Sequence, residues 1–363
     1  MTSDAHTDDN PAATLAHAEA DTREDVNAHA NAHAVSVVVP SYNHAPFVER
    51  TLASIFAQTH PPAELLVIDD GSRDDSPRLI ERALASCPVP CELVARENRG
   101  LSATLNEGLA RAARGQCFAY LGSDDVWLPD FLRARVALLN SRPASVLAYG
   151  HAFWIDDRDA IIDCTTDWAT YADGDARQML WRGTGPHSPT VVYRRDALAR
   201  HGWNERARLE DYELYLRLAD EGEFAFDPRV LSAWRVHGGN ASRDFTFMMD
   251  EWLEAQRRVA AALGMTDEEL ARAQASLGWA SAENFARRGE KAKASALMLR
   301  HLRGAPSVSS AVKMLLRLTV PHALLKRRTR RQQKDAARRY GSLAALTDTG
   351  TRRQMDDAAA GSD

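Results

Sequence analysis

Apolar positions recur along the first part of the chain in two alternating rhythms. Residues 35–40 (VSVVVP) form a short β-branched run closed by proline, the pattern of a strand buried on both faces. Residues 47–58 place Val48, Leu52, Ile55 and Phe56 at helical spacing, and His60-Pro61-Pro62 ends that helix. The alternation repeats. Residues 64–69 (ELLVID) predict a second strand, 76–86 a helix capped by Ser76 with Pro77 in its first turn, and 91–95 a third strand. Leu101, Leu105, Leu109 and Ala112 predict a helix over 101–114 with Gly115 as its cap, and 117–121 is the fourth strand. Such alternation predicts an α/β fold with a mainly parallel central sheet covered on both faces, whose ligands bind at the carboxyl ends of the strands.

Beyond a helix at 129–140 the rhythm loosens. The pattern predicts a strand at 145–153, a hairpin over 156–164, a loop entering a strand over 183–194, and a short helix at 195–201. Glu210-Asp211 opens another helix, and 223–226 and 233–237 read as further strands. Residues 245–303, rich in Ala, Leu, Glu and Arg, predict a helical C-terminal region with Gly264 and Gly278 as breaks. Over 311–340, Val312, Met314, Leu315, Leu318 and Val320 mix with Lys313 and Arg317 before a basic run, KRRTRRQQKDAARR, begins at Lys326. That segment reads either as a peripheral membrane contact on an anionic surface or as a helix packed on the main domain through its leucines. The expected organisation is a disordered tail at 1–33, an α/β domain at 34–244, a helical region at 245–340 and a second disordered tail at 341–363. The first tail carries too few large apolar side chains to offset the entropy of ordering.

Composition narrows the function classes. The chain has 363 residues, enough at 45% hydrophobic content for a substantial core, and its formal net charge of -5 argues against nucleic acid as a general partner. Cys87, Cys91, Cys117 and Cys164 make neither a disulfide framework nor a zinc spacing, which fits a cytoplasmic setting. No stretch reaches the roughly 18 uninterrupted apolar residues of a membrane span.

The candidate chemistry lies where the predicted strands end. Residues 118–127 (FAYLGSDDVW) run from a buried strand into adjacent carboxylates, Asp124 and Asp125. Paired carboxylates repel each other, so they either hold a divalent cation, Mg²⁺ or Mn²⁺, or cap the helix that follows. The other strands end in Ser41-Tyr42-Asn43, Asp69-Asp70 and Asn98-Arg99-Gly100, and that convergence favours a nucleotide site.

The motifs VSVVVPSYN, LLVIDDGS, NRG, YLGSDD and LEDYELYLRLA, in this order, resemble glycosyltransferase family 2 on the GT-A fold. The resemblance implies single, non-processive transfer of a hexosyl or rhamnosyl group, with inversion, from a nucleoside diphosphate sugar to an acceptor hydroxyl. The donor would be UDP-, dTDP- or GDP-linked and the acceptor a glycan or lipid-linked glycan. The setting implied is bacterial surface polysaccharide or lipopolysaccharide, such as O-antigen, at the inner face of the plasma membrane. Pro40, Tyr42 and Asn43 match the family's loop around the base, and Asp70 the acid that accepts from a pyrimidine N–H. Asn98 and Gly100 line the nucleotide. Asp124 and Asp125 match the family's DXD-type motif, with Asp124 near the ribose and Asp125 on the metal. Glu210-Asp211 match the ED motif, with Asp211 as general base. His237, in the stretch Trp234-Arg235-Val236-His237, is a further candidate for the metal or diphosphate. Residues 187–192 (HSPTVV) sit where relatives contact sugar or acceptor. Trp154, Trp168, Trp181 and Trp203 could offer ring faces to a sugar or serve as core and rim residues. The rival readings are a sugar-phosphate nucleotidyltransferase, which would want a Gly-rich basic loop in place of PSYNHAP, and a catalytically silent binding module.

Overall fold

The computed structural model describes residues 34–238 and 244–347; the tail expected at 1–33 lies outside them. Strands β1 (Val35–Ser41), β2 (Glu64–Asp69), β3 (Cys91–Ala95) and β4 (Cys117–Tyr120) run parallel in the spatial order β3-β2-β1-β4. Helices α1 (Val48–Phe56), α2 (Ser76–Leu84) and α3 (Leu101–Arg111) connect them. Both faces of β1 are covered. Val38 packs with Ile68, Leu105 and Phe118 on one side, while Val37 and Val39 pack with Leu52, Val67 and Ile80 on the other. This double burial is why the run shows no polar alternation, and each such side chain is worth about 1.5–3 kcal/mol.

The sheet continues with mixed pairings, antiparallel except for the parallel pair β6–β9. β8 (Val192–Arg194) joins β4, β6 (Ser145–Ile155) joins β8, β9 (Glu223–Arg235) joins β6, and β5 (Val126–Trp127) closes the far edge. β7 (Ile161–Cys164) pairs with the end of β6. The stretches expected as two strands, 223–226 and 233–237, form the single strand β9 as far as Arg235. Register shifts opposite Gly150 and His151 absorb Asp227-Pro228-Arg229, and the buried Arg135–Asp227 ion pair at 2.7 Å pins that bend. α4 (Phe131–Ser141) supplies Arg135.

Other local expectations give way to tertiary contacts. α3 ends at Arg111, so Gly115 is not its cap; its N–H donates to Ser36 Oγ at 2.8 Å, against β1 backbone that leaves no room for a Cβ. Ser76 opens α2 without capping it, and its Oγ instead accepts from the His44 N–H at 3.0 Å. Gly278 does not break the helix that contains it; His301 packs where its side chain would be.

After α5 (Arg177–Trp181), α6 (Arg195–His201) and α7 (Glu210–Glu221) come α8 (Phe245–Ala260), α9 (Asp267–Arg288), α10 (Lys291–Arg300), α11 (Val308–Thr319) and α12 (His322–Tyr340). α8 is continuous with the main core, since Ala255 and Val259 pack with residues of the sheet and α7 and Arg258 bonds Glu213 at 2.7 Å. The tail expected from residue 341 is packed as far as residue 347: Leu343 is fully buried against Val126, Phe153 and Ile155. No single helix among the described residues is long and apolar enough to cross a membrane.

Candidate active site

The rim of the parallel strands is tied into one unit by hydrogen bonds between its loops. Asn43, which adopts φ 54°, donates its N–H to Ser72 Oγ and accepts from the Arg73 N–H, both at 2.8 Å. Those bonds join the loop after β1 to the turn after β2. Asp70 joins that turn to the loop after β3, because its carboxylate accepts from the N–H groups of Arg99 and Gly100 at 2.8 and 2.9 Å and from Arg96, while Asn98 donates to its carbonyl at 2.8 Å. Tyr42, 44% exposed, presents its ring at this rim. Pro40 lies inside β1, buried and opposite Ile68, one residue short of the end of the strand.

The loop after β4 carries Asp124 and Asp125, and the two have different surroundings. Asp124 Oδ2 lies 2.9 Å from His237 Nε2, and its Oδ1 lies 3.7 Å from His44 Nδ1. His44 also meets Ser123 Oγ at 2.8 Å, and burial pushes its imidazole below its ordinary pKa. Together His44, Asp124 and His237 offer ligand atoms within 4.8 Å of one another, the only such group among the described residues. Asp125, expected as the metal carboxylate, is not in this group. Its Oδ1 accepts from the Arg235 N–H at 2.8 Å, and burial, then the neighbouring Asp124 charge, hold its carboxyl well above the usual range. A side chain at Gly122 would sit 2.9 Å from Asp124 Oδ1 and 3.2 Å from Asp125 Oδ2, so this glycine keeps the space beside the two carboxylates open. The donor set, two imidazoles and a carboxylate, is one that could hold a divalent cation.

Arg235 braces this corner. Fully buried, it donates to the Asp124 carbonyl at 2.7 Å and pairs with Asp159 at 2.6 Å, with its guanidinium over the Phe47 ring. Neither His44 nor Arg235 stood out as a site residue. His44 lies 80 positions from Asp124, and only its place in a polar strand-end loop could have marked it.

Glu210 and Asp211 begin α7 and form a second carboxylate pair. The Tyr120 hydroxyl, from β4, donates to Glu210 Oε1 at 3.3 Å. Glu210 is also among the charges that raise Asp125, which puts the two carboxylate pairs in electrostatic reach of each other. Burial, followed by the Glu210 charge, raises the Asp211 carboxyl well above the usual range, so once ionised it is a stronger base than an exposed aspartate. Trp203 packs into the core against Phe118 and Tyr120, and Trp181 is half-buried beside the same core.

Comparison with known proteins bears on the family and the fold. Residues 36–202 match the family model for glycosyl transferase family 2. An uncharacterised glycosyltransferase of Nostoc is 31% identical over 170 residues, 46% of this chain and 52% of that protein. Chondroitin synthase of Escherichia coli is 26% identical over 57% of this chain and 30% of its own length. This chain thus spans about half or less of these two relatives. Among solved structures, Staphylococcus aureus TarS 1–349 superposes with TM-score 0.55 at 15% identity, covering 88% of this chain and 91% of that one. The mannosyltransferase PcManGT of Pyrobaculum calidifontis, in complex with GDP-Man and Mn²⁺, superposes with TM-score 0.54 at 20% identity, covering 84% and 85%. On these matches and this sheet, the chain carries a glycosyl transferase family 2 domain built on the GT-A fold.

Proposed function

We propose that the protein transfers a single sugar from a nucleoside diphosphate donor to an acceptor hydroxyl, with inversion, in the assembly of a bacterial surface polysaccharide or lipopolysaccharide. The observation that carries this reading is a cation-ligating group, His44, Asp124 and His237, beside Asp125, whose carboxyl feels the charge of Glu210, the neighbour of Asp211 at the start of α7. The Mn²⁺ and GDP-Man of the mannosyltransferase complex, and the UDP-GlcNAc of a TarS complex, support a nucleotide-sugar donor. A cation held by the triad would neutralise charge that builds on the departing diphosphate. Tyr42 offers a face to the base, and the loop organised by Asp70, Asn98 and Gly100 shapes the nucleotide wall. Asp211 takes the proton of the acceptor hydroxyl as its oxygen attacks the anomeric carbon from the side opposite the diphosphate. One base and one displacement give inversion.

The test is to incubate the full chain with Mn²⁺ and a panel of UDP-, dTDP- and GDP-hexoses and dTDP-rhamnose, following nucleotide release and the anomeric configuration of any product by NMR. Mn²⁺-dependent release with an inverted product is expected. Retention of configuration, or release unaffected by EDTA, would overturn the reading. We further propose that α11 and α12 bring the enzyme to the inner face of the plasma membrane. Val308, Val312, Leu315 and Leu316 are exposed on α11, and the basic residues of α12 follow directly.

A further inference from the structure

Beyond the candidate active site, the fold assembles a second set of rings that no motif joins in the sequence. Trp154 on β6 and Trp234 on β9 are opposite each other in a parallel ladder, so their side chains share a face, and their ring centroids are 4.9 Å apart. Trp168 stands edge-on to Trp154 at 5.6 Å, and His187 completes the cluster at 5.9 Å from Trp154, 6.0 Å from Trp168 and 5.6 Å from Trp234. Trp168 is 48% exposed, a large amount for an indole that is held in place. Asp163 pairs with Trp154 across β6 and β7, and Asp167, adjacent to Trp168, is bonded by Arg339 and Tyr340 of α12, each at 3.0 Å. The Trp154 indole N–H is shielded from solvent and has no acceptor among the described residues. A cluster formed only for packing would bury Trp168.

The position of the cluster identifies its occupant. Trp234 directly precedes Arg235, whose N–H donates to Asp125, and His187 lies two residues before Pro189, whose carbonyl accepts from the indole N–H of Trp127, itself two residues after Asp125. Both ends of the ring cluster are thus joined, within two residues along the chain, to groups that touch the candidate active site. We propose that Trp154, Trp168 and Trp234, with His187, form the acceptor subsite, taking a pyranose ring by its apolar C–H face against the indoles and bonding its hydroxyls through groups at the edge such as Asp163. Indole faces are apolar and their edges polar, the combination a pyranose presents in reverse. This inference rests on the reading of the protein as a sugar transferase, and it assigns the acceptor side of that site.

The test uses saturation-transfer NMR and intrinsic tryptophan fluorescence on the full chain with methyl pyranosides of glucose, galactose, N-acetylglucosamine and rhamnose, in the presence of UDP and Mn²⁺. At least one of these is expected to bind the wild type. Trp168→Ala should weaken it by ~10-fold or more, the loss of one stacking face, whereas Trp168→Phe keeps most of the binding because it keeps a ring. UDP·Mn²⁺ affinity, measured by calorimetry, should be equal in all three proteins. The proposal is overturned if no pyranoside binds the wild type, or if Trp168→Ala binds as tightly as wild type. Loss in Trp168→Ala without UDP·Mn²⁺ binding in the wild type would sink the donor reading and leave the subsite standing.

Discussion

Asp211, the proposed base, is made more basic by its surroundings, and the same surroundings make it costly to keep. Burial and Glu210 raise its folded pKa above the unfolded value, so its contribution to stability is present at acid pH and is lost as pH rises through the folded pKa. Asp211→Asn is therefore expected to raise the midpoint of thermal unfolding at pH 7, by on the order of 1 kcal/mol in stability, while transfer falls about 10²- to 10⁴-fold. Calorimetric scans and initial rates measure the two effects on one preparation. Because the carboxylate must be ionised to accept a proton, the acid limb of the wild-type rate profile should lie above the ordinary aspartate range of about 4. A limb at or below that range would remove Asp211 from the role. Asp124 and His44 make a separate prediction: alanine at either should weaken Mn²⁺-dependent UDP binding by about 10-fold or more, with the metal-independent part unchanged in titration calorimetry.

At the scale of single elements, the segment after α12 works as a strut behind the site. Leu343 is fully buried with Val126, which follows Asp125, with Phe153 and Ile155, and with Ala233 of β9, the strand that ends at Arg235. Leu343→Ala should cost about 2–5 kcal/mol in urea unfolding, and an unchanged midpoint would mean that this segment is not packed in solution. The gap at Gly122 is a second device of this kind. Gly122→Ala introduces a methyl group 2.9 Å from Asp124 Oδ1, so it should reduce Mn²⁺ binding well before it reduces stability, a split that paired metal titration and thermal melts resolve.

The molecule as a whole carries its charge unevenly. A net charge of -5 coexists with α12, where Arg327, Arg328, Arg330, Arg331 and Lys334 follow the exposed apolar residues of α11. Near an anionic leaflet each such cation is worth about 1 kcal/mol. Co-sedimentation with phosphatidylserine-containing vesicles should therefore fall steeply when the arginines at 327, 328, 330 and 331 are replaced by glutamate, and should weaken with salt. Charge reversal is the cleaner experiment here, because removing the helix also removes Tyr340 and Leu343 from the domain they support. Equal sedimentation of wild type and the reversed variant would leave α11 and α12 with a packing role alone.

The pattern along the chain was sufficient for the parallel half of the sheet. Val35 to Val39, Leu65 to Ile68 and Phe118 to Leu121 are buried on both faces, and that condition writes itself into local composition. It was also sufficient for the polar strand ends, since one connection rule brings them to one rim. The partner of Asp124 was not legible: His44 and His237 reach it from loops 80 and 113 positions away, and no local periodicity encodes such a meeting. Neither could local pattern separate Trp154, Trp168 and Trp234, which meet at the edge of the sheet, from Trp203, which enters the core. A helix or strand is decided by neighbours in sequence, whereas a ligand set or a ring cluster is decided by which loops the closed sheet leaves side by side.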